Sequence, residues 1–330
     1  MPETSRKIRA RPNLPEGLKN FLLLQIFYLV KLFVWLAKWL PEKRMKTLAR
    51  MIFLPASRYN QKLCKRNMTS VFQPLGKTEA DVEQLYAAYL KYMVRFQVET
   101  ARCITIDFDG LKKKVVLHGE EHLRAALEKK RGVLLAGVHM GTWWHVPCIL
   151  GATGHRLSVV FNSFPFAAVE EYLARAAGRY GVGMTFVDKG VPGLVRRAAQ
   201  QNEIVYLTFD VAVRKGHANW VPFGHTKINI SAGPAILALR NQMPVLYVSS
   251  YHGPDQSHLV IHPELTAAMA QNLQGADQLC RVLAEKFYAD LVQRPEQWWG
   301  WGVSDLPRVR VRKEQASSAE ASTVSGAGTR

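Results

Sequence analysis

The chain is short of acids and short of cysteines. Against 44 lysines and arginines stand only 26 aspartates and glutamates, leaving a formal charge of +18. Cys64, Cys103, Cys148 and Cys280 lie far apart and form no C-x-x-C pair. That spacing argues against a disulfide framework or a zinc site and for reduced thiols in a cytoplasmic compartment. There is no G-x-S-x-G elbow, no Walker loop and no G-x-G-x-x-G opening a strand–turn–helix unit. Serine-hydrolase, P-loop and dinucleotide chemistry therefore lack their signatures. No internal repeat is present, and no small-x-small cleavage site follows the long charged lead, which argues against a removed signal peptide. Nor does a helix-turn-helix, zinc finger or RNA-binding signature accompany the positive charge, so nucleic acid is not the expected partner.

The charge is concentrated near the start. Residues 1–66 hold 15 Lys/Arg and only three acids, Glu3, Glu16 and Glu42. A basic segment with an apolar centre points to an anionic membrane surface. Residues 21–40 (FLLLQIFYLVKLFVWLAKWL) are long enough to cross a bilayer as a helix. However, Lys31 would then sit near the midplane, at substantial cost. Lys31 and Lys38 are seven residues apart and fall about 20° from one another on a helix. An interfacial helix with both lysines toward the head groups avoids the cost; a buried core helix is the alternative. Arg9, Arg11 and Lys19 before the segment and Lys43, Arg44 and Lys46 after it give no orientation.

Further along, residues 79–102 read as an amphipathic helix with Val82, Leu85, Tyr89, Met93 and Phe96 on one face. From about residue 112, short β-branched runs (115–117, 133–138, 157–161, 184–187, 204–209, 245–249 and 259–261) alternate with helical patterns at 120–130, 167–180, 192–201 and 232–241. A last helix is expected over 275–293. This alternation predicts an α/β fold, a mixed, mostly parallel sheet flanked by helices. The expected organisation is a membrane-associated helical region over 1–110, an α/β domain over 111–304, and a tail over 305–330 that is basic and then disordered.

The chemical centre is Arg131-Gly-Val-Leu-Leu-Ala-Gly-Val-His139, a buried strand ending in histidine, followed by Met140-Gly141-Thr142-Trp143-Trp144-His145. Sites in open α/β sheets form at the carboxyl ends of strands. A helix starting near Gly141–Thr142 would aim its N–H groups at a developing oxyanion. His139 could deprotonate a hydroxyl there for attack on a thioester, or be a strand-end histidine satisfied by its loop. This block resembles the H-x-x-x-x-[DE] motif of lysophospholipid-type acyltransferases, in the form found in the lipid A lauroyl/myristoyl acyltransferases. Three further segments fall in that family's order. Lys65-Arg66-Asn67-Met68, with Phe72-Gln73-Pro74, resembles its early R-N-L…F-P segment. The stretch from Gln201 to Asp210, with Trp220-Val-Pro-Phe-Gly224 and Ala232-Gly-Pro-Ala-Ile-Leu-Ala-Leu-Arg240, resembles its G-E…P-D-Q…P-F-F-G…T-G-P-A run. Arg294-Pro-Glu-Gln-Trp298 resembles the closing H-P-E-Q-W. The resemblance covers roughly residues 20–302.

It implies acyl transfer from acyl carrier protein or acyl-CoA to a lipid A-like glycolipid or other membrane lipid. The setting implied is the cytoplasmic face of a bacterial inner membrane. His139 would be the base, an anionic membrane lipid a partner, the protein a monomer, and no metal or organic cofactor is required. The chain departs from the pattern where the carboxylate is due, five residues after His139, because Trp144 stands there. An indole N–H only donates and cannot orient the imidazole as an acid does. The P-D-Q motif keeps only Asp210, which either substitutes for the missing acid at the same sheet edge or caps the next loop. Lys189 and Arg196 are candidates for holding substrate phosphates, with a solvated helix face as the alternative for Arg196. Trp144, with Trp143, Trp298, Trp299 and Trp301, is a candidate for lining an acyl groove, or is simply core. His145 is read as a first-turn helix residue facing solvent or the core, with a second base as the alternative, and His217 and His225 as structural or substrate-facing. A catalytically degenerate lipid- or carrier-binding protein of the same fold is the alternative function.

Overall fold

The runs VLLAG at 133–137 and IVYLT at 204–208 carry apolar side chains on both alternating faces, the pattern of strands covered on both sides. In the computed structural model they lie side by side at the centre of a sheet. The structure describes residues 16–163, 167–211, 218–269, 272–304 and 306–307. Arg9, Arg11, His217 and the tail from 308 lie outside the described residues, as does the side chain of Lys19.

The first half of the chain forms α1 (Glu16–Trp39), α2 (Glu42–Tyr59), α3 (Gln61–Phe72), α4 (Glu79–Thr105), α5 (Phe108–Lys114), β1 (Val115–His118), α6 (Glu120–Glu128), β2 (Val133–Gly137), α7 (His145–Ala152) and β3 (Leu157–Phe161). The second half forms α8 (Ala167–Gly178), β4 (Val182–Phe186), α9 (Val191–Gln201), β5 (Ile204–Thr208), β6 (Ala218–Phe223), β7 (Thr226–Ser231), α10 (Gly233–Arg240), β8 (Val245–His252), β9 (Ser257–Glu264) and α11 (Leu273–Gln293). Short 3-10 turns follow at Pro295–Gln297 and Trp299–Gly302. The seven-stranded sheet has the order β1-β9-β8-β2-β5-β3-β4. Within this sheet, among the described residues, the β8–β9 junction is antiparallel and the other pairings are parallel. The expected mixed, mostly parallel sheet is therefore present. The β6–β7 hairpin, paired antiparallel outside the main sheet, was not anticipated: its TKINIS strand alternates apolar and polar but is short, and Trp220-Val-Pro-Phe-Gly224 drew attention as a motif.

Alternation sorts the core into two layers. Leu134 and Ala136 of β2 and Val205 and Leu207 of β5 join α3, α4, α9, α10 and α11 on one face. Val133 and Leu135 of β2 and Ile204 and Tyr206 of β5 join α6 and α7 on the other. Helix α4 starts at a capping box: Thr78 Oγ1 accepts from the Asp81 N–H, and Asp81 Oδ2 accepts from the Thr78 N–H. Its Val82, Tyr89, Met93 and Phe96 enter the first layer, with Leu85 packed against it, as the helical spacing requires. The other flank of α4, through Val94, Val98 and Ala101, carries α1 and α2 by way of Phe33, Val34, Ala37, Met45 and Ala49.

Asn67 ties this helical part to the end of the described chain. Fully buried on α3, its Nδ2 donates to the carbonyls of Trp301 at 2.9 Å and Ser304 at 2.7 Å, and its Oδ1 accepts from the Leu306 N–H at 3.2 Å. Asn67→Ala should cost ~2–3 kcal/mol, because buried backbone groups lose their partners. Asn67→Asp should cost more, since a carboxylate oxygen would face two carbonyls. Urea denaturation would measure both, and equal midpoints for the wild type and Asn67→Asp would refute the latch.

Candidate active site

β2 ends at Gly137, whose neighbour across the β2–β5 pairing is Thr208. A Cβ at Gly137 would meet the Tyr206 ring at 2.8 Å, so only glycine leaves that ring its place. Two residues on, His139 hangs over the same edge. Its backbone N–H donates to both carboxylate oxygens of Asp210 at 3.1 Å, and its Nδ1 lies 2.8 Å from Asp210 Oδ1. A carboxylate only accepts, so Nδ1 carries the hydrogen and Nε2 is left bare. Nε2 faces the Thr208 hydroxyl at 3.2 Å. Asp210 is fully buried, whereas the His139 side chain is 18 % exposed. The imidazole is bracketed by Trp143, edge-on at 4.8 Å between ring centroids, and by Trp299 at 5.5 Å.

The Arg294–Trp298 segment frames this centre. Trp298, itself buried, donates its Nε1 hydrogen to Asp210 Oδ2 at 2.7 Å. Gln297 clasps the end of β8, accepting from the His252 N–H at 2.8 Å and donating to its carbonyl at 3.1 Å. The Trp299 N–H donates to the His139 carbonyl, and the Gly141 N–H to the Gln297 carbonyl. Gly141 has φ +57°, and a Cβ there would strike the Ser250 carbonyl oxygen at 2.1 Å. Tyr92 of α4 donates to the Gly141 carbonyl at 2.6 Å. Trp298, Gln297, Tyr92 and Thr208 were not singled out in these roles from sequence. The only signal for the first two was the closing family-like segment, and for Thr208 its place two residues before Asp210.

The helix expected from Gly141–Thr142 begins at His145, with Trp144 at its N-cap. Residues 141–144 form a turn, held by the glycine's left-handed backbone and its bond to Gln297. Among the described residues no hydrogen bond engages the N–H groups of Thr142, Trp143 or Trp144. Trp144 is buried against Phe161 and Trp143, at 5.2 and 5.8 Å between centroids, so the place of the missing acid is filled by packed core. Lys189 pairs with Glu170, and Arg196 is exposed on α9; among the described residues neither is bonded to a residue around His139. His145 is buried, and His225 sits exposed in the turn between β6 and β7. A cavity of ≈ 520 Å³ lined by Lys129, Arg131, Gln242, Pro244 and Glu264 lies by the amino ends of β2 and β8, away from His139, and its Lys129 is already paired with Glu264.

Comparison with known proteins bears on this geometry. The description of the bacterial lipid A biosynthesis acyltransferase family matches residues 14–301. The chain is also similar to a phosphatidylinositol mannoside acyltransferase of Mycolicibacterium smegmatis. The two are 26 % identical over 267 residues, covering 75 % of this chain and 82 % of the relative.

Two histidines beneath the site make its stability depend on pH. Burial pushes the His145 pKa from 6.5 down to about 4, with the Lys114 charge adding to the effect. Burial, then the charges of Arg95 and His145, push His252 down to about 2. Neither ring nitrogen of His252, nor Nδ1 of His145, has a hydrogen-bond partner among the described residues. The folded protein therefore keeps both neutral where the unfolded chain takes up protons. Their contribution is fully present above pH 6.5 and is lost as pH falls through about 4 for His145 and on toward about 2 for His252. The melting temperature should drop over that interval. His145→Asn should flatten the drop, and an equally steep drop in the variant would count against the assignment.

Proposed function

Because the chain belongs to the bacterial lipid A biosynthesis acyltransferase family and is therefore an acyltransferase, we propose that it moves a fatty acyl chain from the thioester of acyl carrier protein or coenzyme A to a hydroxyl or amine of a membrane glycolipid, with His139 as general base. The observation that carries this reading is the 2.8 Å contact between His139 Nδ1 and the fully buried Asp210. Asp210 fixes the tautomer in which Nε2 carries no hydrogen and can take the acceptor's proton, and it compensates the imidazolium that results. The donor carbonyl is then attacked, and we assign its developing oxyanion to the unengaged N–H groups of the Thr142–Trp144 turn. His139 returns its proton to the departing sulfur. Asp210 thus takes the part left vacant by Trp144. The matched family and the mycobacterial relative are both named for glycolipid acceptors, which favours an acceptor of that class.

The N-terminal helices supply the membrane contact in this reading. Phe21, Leu24, Tyr28, Leu32, Trp35 and Trp39 are all exposed and, at steps of three and four, form one stripe along α1. Exposed Met51 and Ile52 of α2 add to the apolar surface. Lys31 and Lys38 lie on a flank of that stripe, within cation–π distance of Tyr28 and Trp39 respectively. Among the described residues no helix is long and apolar enough to cross a membrane. An in-plane helix with lysines at head-group level fits these features, on the cytoplasmic face of a bacterial inner membrane. The acidic surface of acyl carrier protein, or an anionic lipid, suits the chain's positive charge.

Lipid mass spectrometry of cells with and without the protein should reveal one lipid species shifted by a single acyl mass. In vitro, His139→Ala should lower acyl transfer by roughly 100- to 10,000-fold with the fold retained, and Asp210→Asn should also lower it sharply. A folded His139→Ala protein with near-normal transfer defeats the assignment, and a wild type that binds acyl thioester without any transfer selects the degenerate binder. Trp35→Glu with Trp39→Glu should weaken binding to phosphatidylglycerol vesicles by about tenfold or more, read by sedimentation; unchanged binding would remove α1 from the membrane.

A further inference from the structure

Nε2 of His139, the nitrogen required by the acceptor, is already engaged by a hydroxyl of the protein itself. Thr208 closes β5, directly beside Gly137 of β2, and its Oγ1 stands 3.2 Å from Nε2 while Nδ1 stands 2.8 Å from Asp210. Thr208, His139 and Asp210 thus form the sequence hydroxyl, base and orienting acid, in the geometry that identifies an activated nucleophile on any fold. Each link is supported independently. Trp298 and the His139 N–H hold Asp210, and Trp143 and Trp299 bracket the imidazole. With Nδ1–H given to the carboxylate, Nε2 accepts and the Thr208 O–H donates. Thr208 and His139 are each partly exposed rather than sealed in the core.

We propose that Thr208 is a catalytic nucleophile and that the acyl chain passes through an ester on its Oγ1, an inference that rests on the acyltransferase reading above. In the first half, Thr208 Oγ1 attacks the thioester carbonyl and its proton passes to His139 Nε2. The carbon–sulfur bond breaks, and the thiolate leaves with that proton. In the second half, the acceptor hydroxyl gives its proton to Nε2 and attacks the ester carbonyl. The bond to Oγ1 breaks, and Thr208 recovers its hydrogen from Nε2. Each half forms one acyl bond, breaks one and returns the histidine to its starting state, so no other reactant is required. Water in place of the acceptor would make the same site a slow thioesterase. The arrangement also gives a use to the departure at Trp144: the acid comes from the strand that carries the nucleophile, two residues beyond it.

The test mixes the full-length protein with dodecanoyl-CoA, without acceptor, and quenches it for intact mass and peptide mapping. The wild type should gain one dodecanoyl group on the peptide containing Thr208, stable to neutral hydroxylamine as an oxygen ester is. The adduct should be absent from His139→Ala and from Thr208→Val, which keeps the shape of the side chain, and should reappear on the new hydroxyl of Thr208→Ser. With an acceptor lipid, double-reciprocal plots should be parallel. Thr208→Val should lose more than about 100-fold in kcat/KM, with Thr208→Ser recovering most of it. Transfer at the wild-type rate by Thr208→Val overturns the proposal, as do intersecting plots with no adduct in an active wild type, and direct attack by the acceptor then stands. A folded wild type that neither transfers nor acquires the adduct would instead defeat the acyltransferase reading itself.

Discussion

Everything around the site is arranged to keep one carboxylate out of water. Asp210 has no exposed side-chain surface, and a buried carboxylate is tolerated only when its oxygens are occupied. Here Oδ1 takes the His139 ring and Oδ2 the Trp298 indole, while the His139 N–H reaches both oxygens. Those donors come from the end of β2 and from the turn after α11, and the acid comes from the end of β5. The contact is therefore where three distant parts of the chain are obliged to meet. It also explains why an indole is useful at Trp298: it fills a buried volume and presents a single donor, whereas a second acceptor there would repel the carboxylate.

The same logic accounts for several family-like segments that have no evident chemistry of their own. Gln297 satisfies both backbone groups of His252, which fixes the end of β8 beside the turn that follows His139. Asn67 satisfies three backbone groups near the end of the described chain, which secures the turn that holds Trp298. Gly141 lets the loop after His139 press on Ser250. These residues hold the frame in which the imidazole stands.

The departure at Trp144 has a matching physical explanation. Trp144 belongs to the apolar layer shared with Phe161, Val146 and Tyr206, a setting in which a carboxylate would pay the desolvation cost without the donors that Asp210 enjoys. In the mechanism proposed above the acid lies two residues beyond β5, whose pairing with β2 runs in register from Val133 beside Ile204 to Gly137 beside Thr208. On the side of α7 the imidazole meets Trp143, which in turn packs on Trp144.

The alternation of short apolar runs with helical periods was enough to determine an α/β fold, because a strand covered on both faces and a helix covered on one leave different imprints on the sequence. The strands at 133–137 and 204–208 and the helices around 79–105 and 273–293 were legible for that reason. His139 at a strand end was legible too, with Asp210 as a conditional partner, since both follow runs that must end at the same kind of sheet edge. Three things were decided only by the tertiary structure. The start of α7 slipped to His145, because a glycine with positive φ and a bond to Gln297 made a turn of residues that could equally have begun a helix. The β6–β7 hairpin was hidden in a stretch whose short strands gave no long alternation. The grouping of Thr208, His139, Asp210 and Trp298 needed the parallel register of β2 with β5 and the return of the chain after α11. Those are pairings between residues some 70 to 90 positions apart, and local periodicity carries no information about which strand will lie beside which.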